Sequence, residues 1–207
     1  MQLYFTRHGK TEWNQARRFQ GMNGDSPLLP TSYEQIRLLG EHLKEIPFEA
    51  IYSSPLKRAR ETAQGIQQEL FHPTEIIYKD GLREMGYGEL EGQSIDDMYQ
   101  LYGNDLTNLR HHLDRYDPSA FNGETTEAML QRVSSVIFEA VAMHDGPLLF
   151  VGHGASFTAT VQYLAGKKVS ELKAMGNLLN NSLTILETVD KQTPYHLSQW
   201  NDVHFLA

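Results

Sequence analysis

The chain of 207 residues has no cysteine, no long apolar run and no excess of positive charge. Without cysteine there can be no disulfides, no thiolate metal ligands and no cysteine nucleophile. No apolar run approaches the roughly 18 residues of a membrane span, and no Lys/Arg-rich start followed by an apolar stretch indicates a signal peptide. The formal net charge of −8 argues against general nucleic-acid binding. We therefore expect a cytoplasmic protein that binds neither nucleic acid nor membranes.

The overall composition is typical of a globular domain, with 40% apolar and 21% charged residues. The length is sufficient for a substantial core. Strand-like and helix-like segments alternate, which predicts a sheet covered by helices on both faces. We predict a three-layer α/β sandwich with a mostly parallel mixed sheet, built as a single domain over residues 1–207 with an insertion at about 80–122.

The apolar pattern and the positions of Gly and Pro predict the individual elements. The predicted strands cover 2–6, 50–53, 75–78, 147–151, 182–187 and 195–200. The predicted helices begin near residues 31, 55, 95, 126 and 155. The third of these helices is predicted to end near residue 102. Residues 104–121 are expected to be helical in part. Three helix starts carry capping signals, namely Thr31 with Glu34, Pro55, and Ser94 with Asp97.

Histidines directly follow two of the predicted strands. The first strand continues into Thr6-Arg7-His8-Gly9, and the strand at 147–151 continues into Gly152-His153-Gly154. Parallel strands end at one edge of a sheet, where such folds bind ligands, so the two histidines can share one pocket. Gly154 also opens a helix, so its backbone N–H can point at an anion. The alternative for His153 is a core histidine with satisfied hydrogen bonds.

Two further stretches contain charged groups suited to phosphate chemistry. Ser53-Ser54-Pro55-Leu56-Lys57-Arg58 places an arginine near a helix start, where its planar fork can bind phosphate through two hydrogen bonds. A solvated helix residue is the simpler alternative for Arg58. The loop at 82–92 contains three candidates for a general acid and base, and the residues alone do not choose among Glu84, Glu89 and Glu91.

The stretches at 6–14, 53–63, 82–92, 123–125 and 152–154, taken in order, resemble the motifs of the histidine phosphatase (phosphoglycerate mutase-like) superfamily. The resemblance implies a phosphatase that acts through a phosphohistidine on small-molecule phosphomonoesters, with no cofactor and no metal. It implies a nucleophile at His8, an acid and base at Glu84, and charge stabilisation by Arg7, Arg58 and His153. The implied phosphate- or substrate-binding residues are Asn14, Gln20, Gly21 and Gly154.

Three alternatives remain open at this point. A mutase with the same residues would return the phosphoryl group to its substrate, although the loop Glu84-Met85-Gly86-Tyr87-Gly88 resembles phosphatases more closely. A non-catalytic sensor of phosphorylated ligands would use the same fold. A metal site could use two histidines and a glutamate, although adjacent arginines would repel the cation.

The departures from the motifs affect the pocket more than the chemistry. Asn23-Gly24 lengthens the loop before Asp25 by one residue, and Lys10 replaces a commonly acidic residue. Glu89 and Glu91 are expected to be solvent-exposed loop charges. Five residues are candidates for an apolar wall that would favour aromatic or varied substrates, although each could instead pack beneath a loop: Phe19, Met22, Met85, Tyr87 and Phe157. The physiological substrate and the oligomeric state do not follow from the sequence.

Overall fold

The computed structural model describes residues 1–206, in which six strands and six α-helices are joined by loops and short 3₁₀ turns. The strands are β1 (Gln2–Arg7), β2 (Ala50–Ser53), β3 (Ile76–Tyr78), β4 (Leu148–Gly152), β5 (Leu183–Glu187) and β6 (His196–Asp202). The helices are α1 (Glu12–Gln15), α2 (Pro30–Leu43), α3 (Lys57–Glu69), α4 (Ile95–His111), α5 (Thr126–Met143) and α6 (Gly154–Leu164). None of the helices within this range is long and apolar enough to cross a membrane.

The strands form one sheet in the order β3-β2-β4-β1-β5-β6. Strands β1, β2, β3 and β4 run parallel to one another, β5 runs antiparallel to β1, and β6 runs antiparallel to β5. This confirms the prediction of a mostly parallel mixed sheet. In the central pair, Arg7 of β1 lies opposite Gly152 of β4. Because both strands end at this level, the chain delivers His8 and His153 side by side.

Helices cover both faces of the sheet because the side chains of a strand alternate between its two sides. Phe5 and Phe150 stack with ring centroids 4.9 Å apart, in a buried cluster that includes the apolar residues of α5 and α6. Tyr4 and Leu149, their neighbours in sequence, belong to a second buried cluster with α2 and α3. The three-layer α/β sandwich predicted from the sequence is therefore confirmed.

Two helix starts differ from the predictions. Helix α2 begins at Pro30 after Leu29, which makes no side-chain capping bond, so the predicted capping box of Thr31 and Glu34 is wrong. Pro30 takes the first position because it has no N–H that would need a partner there. Helix α3 begins at Lys57, two residues after Pro55, because the backbone is still extended at the intervening residue.

Helix α4 is longer than predicted. Its start is as expected, with the Ser94 hydroxyl accepting from the Asp97 N–H. It does not end at Tyr102, where the backbone departs from helical geometry (φ −125°), but continues beyond this kink to His111. Short 3₁₀ turns at Leu113–Arg115 and Ser119–Phe121 follow, which confirms that residues 104–121 are helical in part.

Candidate active site

His8 leaves the end of β1 and is only 3% exposed. Its Nδ1 lies 2.7 Å from the carbonyl oxygen of Gly9, and the Nε–H of Arg58 donates to its Nε2 at 3.2 Å. A carbonyl oxygen only accepts, so we assign the ring hydrogen to Nδ1 and a lone pair to Nε2. Burial, with the charges of Arg58 and Arg7, lowers the pKa of His8 well below 6.5. At neutral pH the ring is therefore uncharged and able to act as a nucleophile.

Arg58 is buried and holds the loop before α2 against His8. Its Nη1 donates to the Gly24 carbonyl at 2.8 Å and to Asp25 Oδ1 at 3.0 Å, while Nη2 donates to the Gly21 carbonyl at 3.0 Å. It is not the solvated helix residue considered above. Gly21 serves this loop and does not line the cavity described below; a Cβ there would come within 2.7 Å of the Met85 carbonyl oxygen.

Glu91 ties the lengthened loop to the segment that carries Glu84. Its carboxylate accepts hydrogen bonds from the backbone N–H groups of Met22, Asn23, Gly24 and Tyr87. The expectation that Glu91 is a solvent-exposed loop charge is therefore wrong. Glu89, by contrast, is exposed and accepts from the Asn122 side chain.

His153 lies directly before α6, and its ring centroid is 5.2 Å from that of His8. Its Nε2 is 2.7 Å from the Ser54 hydroxyl oxygen, whereas its buried Nδ1 has no hydrogen-bond partner among residues 1–206. Burial, followed by the charge of Arg58, lowers the pKa of His153 well below its usual value. His153 is thus not a fully satisfied core residue, because one ring nitrogen is left free.

Glu84 places its carboxylate at the start of α6. Oε1 accepts from the N–H groups of Met85 and Ser156 at 2.8 Å, and Oε2 accepts from that of Ala155 at 2.9 Å. The free N–H groups at the start of the helix hold the carboxyl group at this position. Of the three glutamates that the sequence left open, Glu84 is the one that lines the cavity.

Arg132 on α5 holds the loop of Glu84 in place. Its guanidinium forms two hydrogen bonds to the Glu124 carboxylate, at 2.6 and 2.8 Å, and donates to the Glu84 carbonyl at 2.9 Å. It also donates to the carbonyls of Gly81 and Arg83. Sequence reasoning included Glu124 in the motif at 123–125 but missed Arg132, which looks like an ordinary polar position on an amphipathic helix.

A cavity of about 270 Å³ opens at this edge of the sheet. Five of the predicted site residues line it: Arg7, Asn14, Gln20, Glu84 and Gly154. His8, Arg58 and His153 are buried and are not part of the wall. Each buried histidine is nevertheless directly bonded in sequence to a residue that lines the cavity, because Arg7 precedes His8 and Gly154 follows His153. Gly154 packs so closely on Arg7 that a Cβ there would lie 3.0 Å from the guanidinium carbon.

Two residues of the wall carry donors with no partner within the described chain. Gln20 Oε1 accepts from the hydroxyl groups of Thr11 and Ser26, so its Nε2 is the free, buried donor. Arg7 Nη1 donates to the Leu178 carbonyl, while its Nε is buried and unpaired. Burying an unsatisfied donor costs about 1–3 kcal/mol. An anion bound here would satisfy both groups.

The apolar part of the wall differs from the expectation. Phe19 and Tyr87 line the cavity, but Met22 does not, and Met85 and Phe157 are buried in the core. Apart from Ala155 of α6, the other apolar lining residues come from α4, and they are Ile95, Tyr99, Leu106 and Leu109. Half of these lie beyond the predicted end of that helix, which is why the sequence did not point to them.

The geometry favours an anion over a metal ion. Within residues 1–206, no three His, Asp or Glu side chains are grouped so that they could hold a metal. Glu84 directs its oxygens to backbone N–H groups, and Arg58 occupies the lone pair of His8. Free donors on Arg7 and Gln20 complete a site that suits a phosphate group.

Comparison with known proteins gives consistent matches. The family model of the histidine phosphatase superfamily (branch 1) matches residues 3–203. The Bacillus subtilis protein named uncharacterized phosphatase PhoE is 30% identical over 187 residues, covering 90% of this chain and 88% of that one. The Schizosaccharomyces pombe phosphoglycerate mutase is 32% identical over 170 residues, covering 79% of each chain. The solved structure of Bacillus stearothermophilus YhfR matches with a TM-score of 0.91 and 28% identity, covering 100% of this chain and 99% of that one.

Proposed function

The chain belongs to the histidine phosphatase superfamily and is an enzyme of the phosphatase type, and on this premise we propose that it hydrolyses small phosphomonoesters, without a metal, through a phosphohistidine at His8. One observation supports this most directly. The lone pair of His8 Nε2 lies beside Arg58 and His153, next to a cavity whose Arg7 and Gln20 carry unpaired buried donors. A phosphate group would satisfy these donors and meet the nucleophile.

In the first step the Arg58 Nε–H moves from His8 Nε2 to a phosphoryl oxygen, and the freed lone pair of Nε2 attacks phosphorus. The N–P bond forms as the P–O bond to the alcohol breaks, and Glu84 gives its proton to the departing oxygen. Arg7 and Arg58 neutralise the charge on the phosphoryl oxygens. We assign the proton transfer to Glu84 because, among the described residues that line the cavity, it alone carries a carboxyl group.

In the second step the phosphohistidine is hydrolysed. Glu84, now a carboxylate, takes a proton from a water molecule whose oxygen attacks phosphorus, and the N–P bond breaks. Inorganic phosphate leaves, His8 regains its lone pair and Glu84 is protonated again. His153 Nδ1 donates to a phosphoryl oxygen in both steps, since it has no other partner within residues 1–206.

The cavity limits the size of the substrate. At about 270 Å³ it lies just below the usual range of ligand pockets, which supports a small metabolite rather than a phosphoprotein. Because relatives include both a phosphatase and a mutase, the products must be identified as well as the rate.

The test measures phosphate release from a panel of phosphomonoesters in EDTA, with wild type, His8→Ala and His72→Ala. His72 is exposed and serves as a matched control. We expect EDTA-resistant release that His8→Ala lowers by at least about a thousandfold and His72→Ala leaves unchanged. Rapid quenching should trap an acid-labile phosphoryl group on wild type but not on His8→Ala.

Three results would contradict the proposal. Complete loss of activity in EDTA, restored by a divalent cation, would indicate a metal-dependent reaction. Conversion of 3-phosphoglycerate to its isomer with little phosphate release would indicate a mutase. Phosphate binding without turnover of any ester would indicate a sensor.

A further inference from the structure

The cavity carries more positive charge than a single phosphate group needs. Arg7, Arg18, Arg110 and Lys173 all line it, and Glu84 is its only carboxylate within the described residues. The chain as a whole has a formal charge of −8, so this concentration of cations runs against the overall balance. Arg7, with Arg58 behind it, is sufficient for one phosphate. The remaining cations are available to another negative group.

Lys173 stands out among these cations. It is half-buried, it makes no ion pair among residues 1–206, and its one side-chain bond, 3.2 Å long, is to Asn177 Oδ1. An ammonium group has three hydrogens, so two of them stay free at the cavity wall. Burial lowers the pKa of Lys173 to about 8, against the attraction of Glu84, which raises it. Lys173 therefore lies in the field of the reaction centre.

The other two cations, Arg18 and Arg110, are exposed and have other interactions. Arg18 is exposed and donates to the Gly92 carbonyl. Arg110 is exposed in the last turn of α4, where a positive charge also stabilises the helix dipole. Lys173 has neither role, since it follows the 3₁₀ turn Val169–Glu171 and lies outside the six α-helices.

We propose that the preferred substrates carry a second anionic group, a carboxylate or a phosphate, and that Lys173 is the residue that binds it. This proposal rests on the proposed phosphatase function, because it names the class of ester that the same site selects. Lys173 acts as a specificity-determining residue: it holds the substrate by its second charge while His8 and Glu84 carry out the chemistry. No additional group is needed for the reaction.

The other side chains that line the cavity indicate what kind of skeleton connects the two anionic groups of the substrate. Apolar side chains from α4 and from the loop between α1 and α2 line the same cavity as Lys173, and they are Phe19, Ile95, Tyr99, Leu106 and Leu109. A sugar would meet few partners for its hydroxyl groups there. An apolar or flat skeleton with a phosphate at one end and a second negative charge at the other would match both parts.

A matched set of aryl phosphates tests the proposal. The probes are phenyl phosphates with a carboxylate, a phosphonate or a neutral carboxamide at the meta or para position, so that charge changes while size hardly does. For wild type we expect kcat/KM to be about tenfold or more higher for the best anionic probe than for the matching carboxamide. Whether the carboxylate or the phosphonate is preferred identifies the second group as carboxylate or phosphate.

Variants show whether Lys173 is responsible. Lys173→Met keeps the length of the side chain and removes its charge, so the ratio of anionic to carboxamide probe should fall to about one to three. Lys173→Arg should keep most of the preference. Lys167→Met, an exposed neighbour outside the cavity, should have the wild-type ratio.

Two outcomes would overturn the proposal. One is equal kcat/KM for all three kinds of probe with wild type; the other is a preference that persists in Lys173→Met. In both cases phosphate would still be released from the carboxamide probe, and His8→Ala would still abolish that release. Failure of the phosphatase function itself would look different, because no probe would be turned over at all.

Discussion

His153 Nε2 lies 2.7 Å from the Ser54 hydroxyl oxygen, and both side chains are fully buried. The Leu56 N–H donates to that oxygen at 3.4 Å, and within residues 1–206 the hydroxyl has no acceptor other than Nε2, so we assign the hydroxyl hydrogen to the bond with Nε2. In the neutral imidazole the ring hydrogen must then be on Nδ1. Ser54 thus selects the tautomer in which His153 can donate a hydrogen bond to a phosphoryl oxygen.

We therefore predict that Ser54→Ala lowers kcat about tenfold while KM changes little, because the free ring can adopt the wrong tautomer. The matched control is Ser53→Ala, which removes a buried hydroxyl that donates to the Ser54 carbonyl and does not touch His153. Nitrogen NMR of the imidazole should show hydrogen on Nδ1 in wild type and in Ser53→Ala. Equal losses of kcat in the two variants would mean that Ser54 is only a packing residue.

Arg132 is predicted to support both stability and activity. Arg132→Met leaves the Glu124 carboxylate and three backbone carbonyls without their donor. Because the pair is mostly buried, we expect a loss of about 3 kcal/mol in the free energy of unfolding. We also expect kcat/KM to fall about tenfold or more, since the loop of Glu84 is released.

The control for this prediction is Arg37→Met. Arg37 pairs with Glu34 and Glu41, but on the exposed surface of α2, where such pairs contribute about 1 kcal/mol or less. Urea unfolding gives the free energies and phosphate release gives the rates. If Arg132→Met unfolds like wild type but loses activity, Arg132 positions Glu84 without stabilising the fold.

The site residues that could be predicted are those marked by short sequence patterns, and the fold then places these residues close together. A continuous apolar run marked β4, and the alternation of strands and helices predicted a mostly parallel sheet, so His8 and His153 could be placed at one edge. The fold class could be predicted for the same reason. The direct pairing of β1 with β4 is seen only in the structure. Glu84, however, was singled out only by the family resemblance, because its distinguishing contacts with α6 join residues about 70 positions apart.

The missed parts have no local signal. Lys173 lies in a stretch without apolar periodicity, and the role proposed for it depends on lining the same cavity as Glu84. Glu91 looks like a surface charge until the loop at 22–24 folds onto it. Sequence reasoning also did not consider Pro30 as a helix start, although proline is well tolerated there, and so it placed the start of α2 at Thr31.

The buried histidines predict how stability changes with pH. Burial lowers the pKa of His8 and of His153 well below 6.5, while both return to about 6.5 in the unfolded chain. Below that pH the unfolded state binds more protons than the folded state, so the free energy of unfolding decreases as the pH falls. Each histidine contributes up to about 1.4 kcal/mol per pH unit.

Urea unfolding between pH 7.5 and 5.5 tests this expectation. His8→Asn cannot be protonated in this range, so its unfolding free energy should fall less steeply than that of wild type. His72→Asn, on the surface, should follow the wild-type slope. A His8→Asn slope as steep as that of wild type would show that His8 does not contribute.

The lowered pKa of Lys173 predicts that kcat/KM for anionic substrates changes with pH in the alkaline range. Its pKa is lowered to about 8 by burial, so its ammonium group is charged below that pH and loses its proton above it. The other titratable groups that line the cavity are Arg7, Arg18, Glu84, Tyr87, Tyr99 and Arg110. Arginine is effectively always protonated, and burial raises the pKa of Tyr87 well above 10, so Arg7 and Tyr87 keep their charge state between pH 7 and 9.

We therefore expect kcat/KM for an anionic aryl phosphate to fall as the pH rises through about 8, while the matching carboxamide probe is affected less. The ratio of kcat/KM between the two probes is the quantity to measure, because a change in the protonation of a catalytic group alters both rates alike. Lys173→Arg should hold the ratio constant to pH 9, since a guanidinium keeps its proton. A wild-type ratio that is constant from pH 7 to 9 would mean that Lys173 does not bind the second charge in its protonated form.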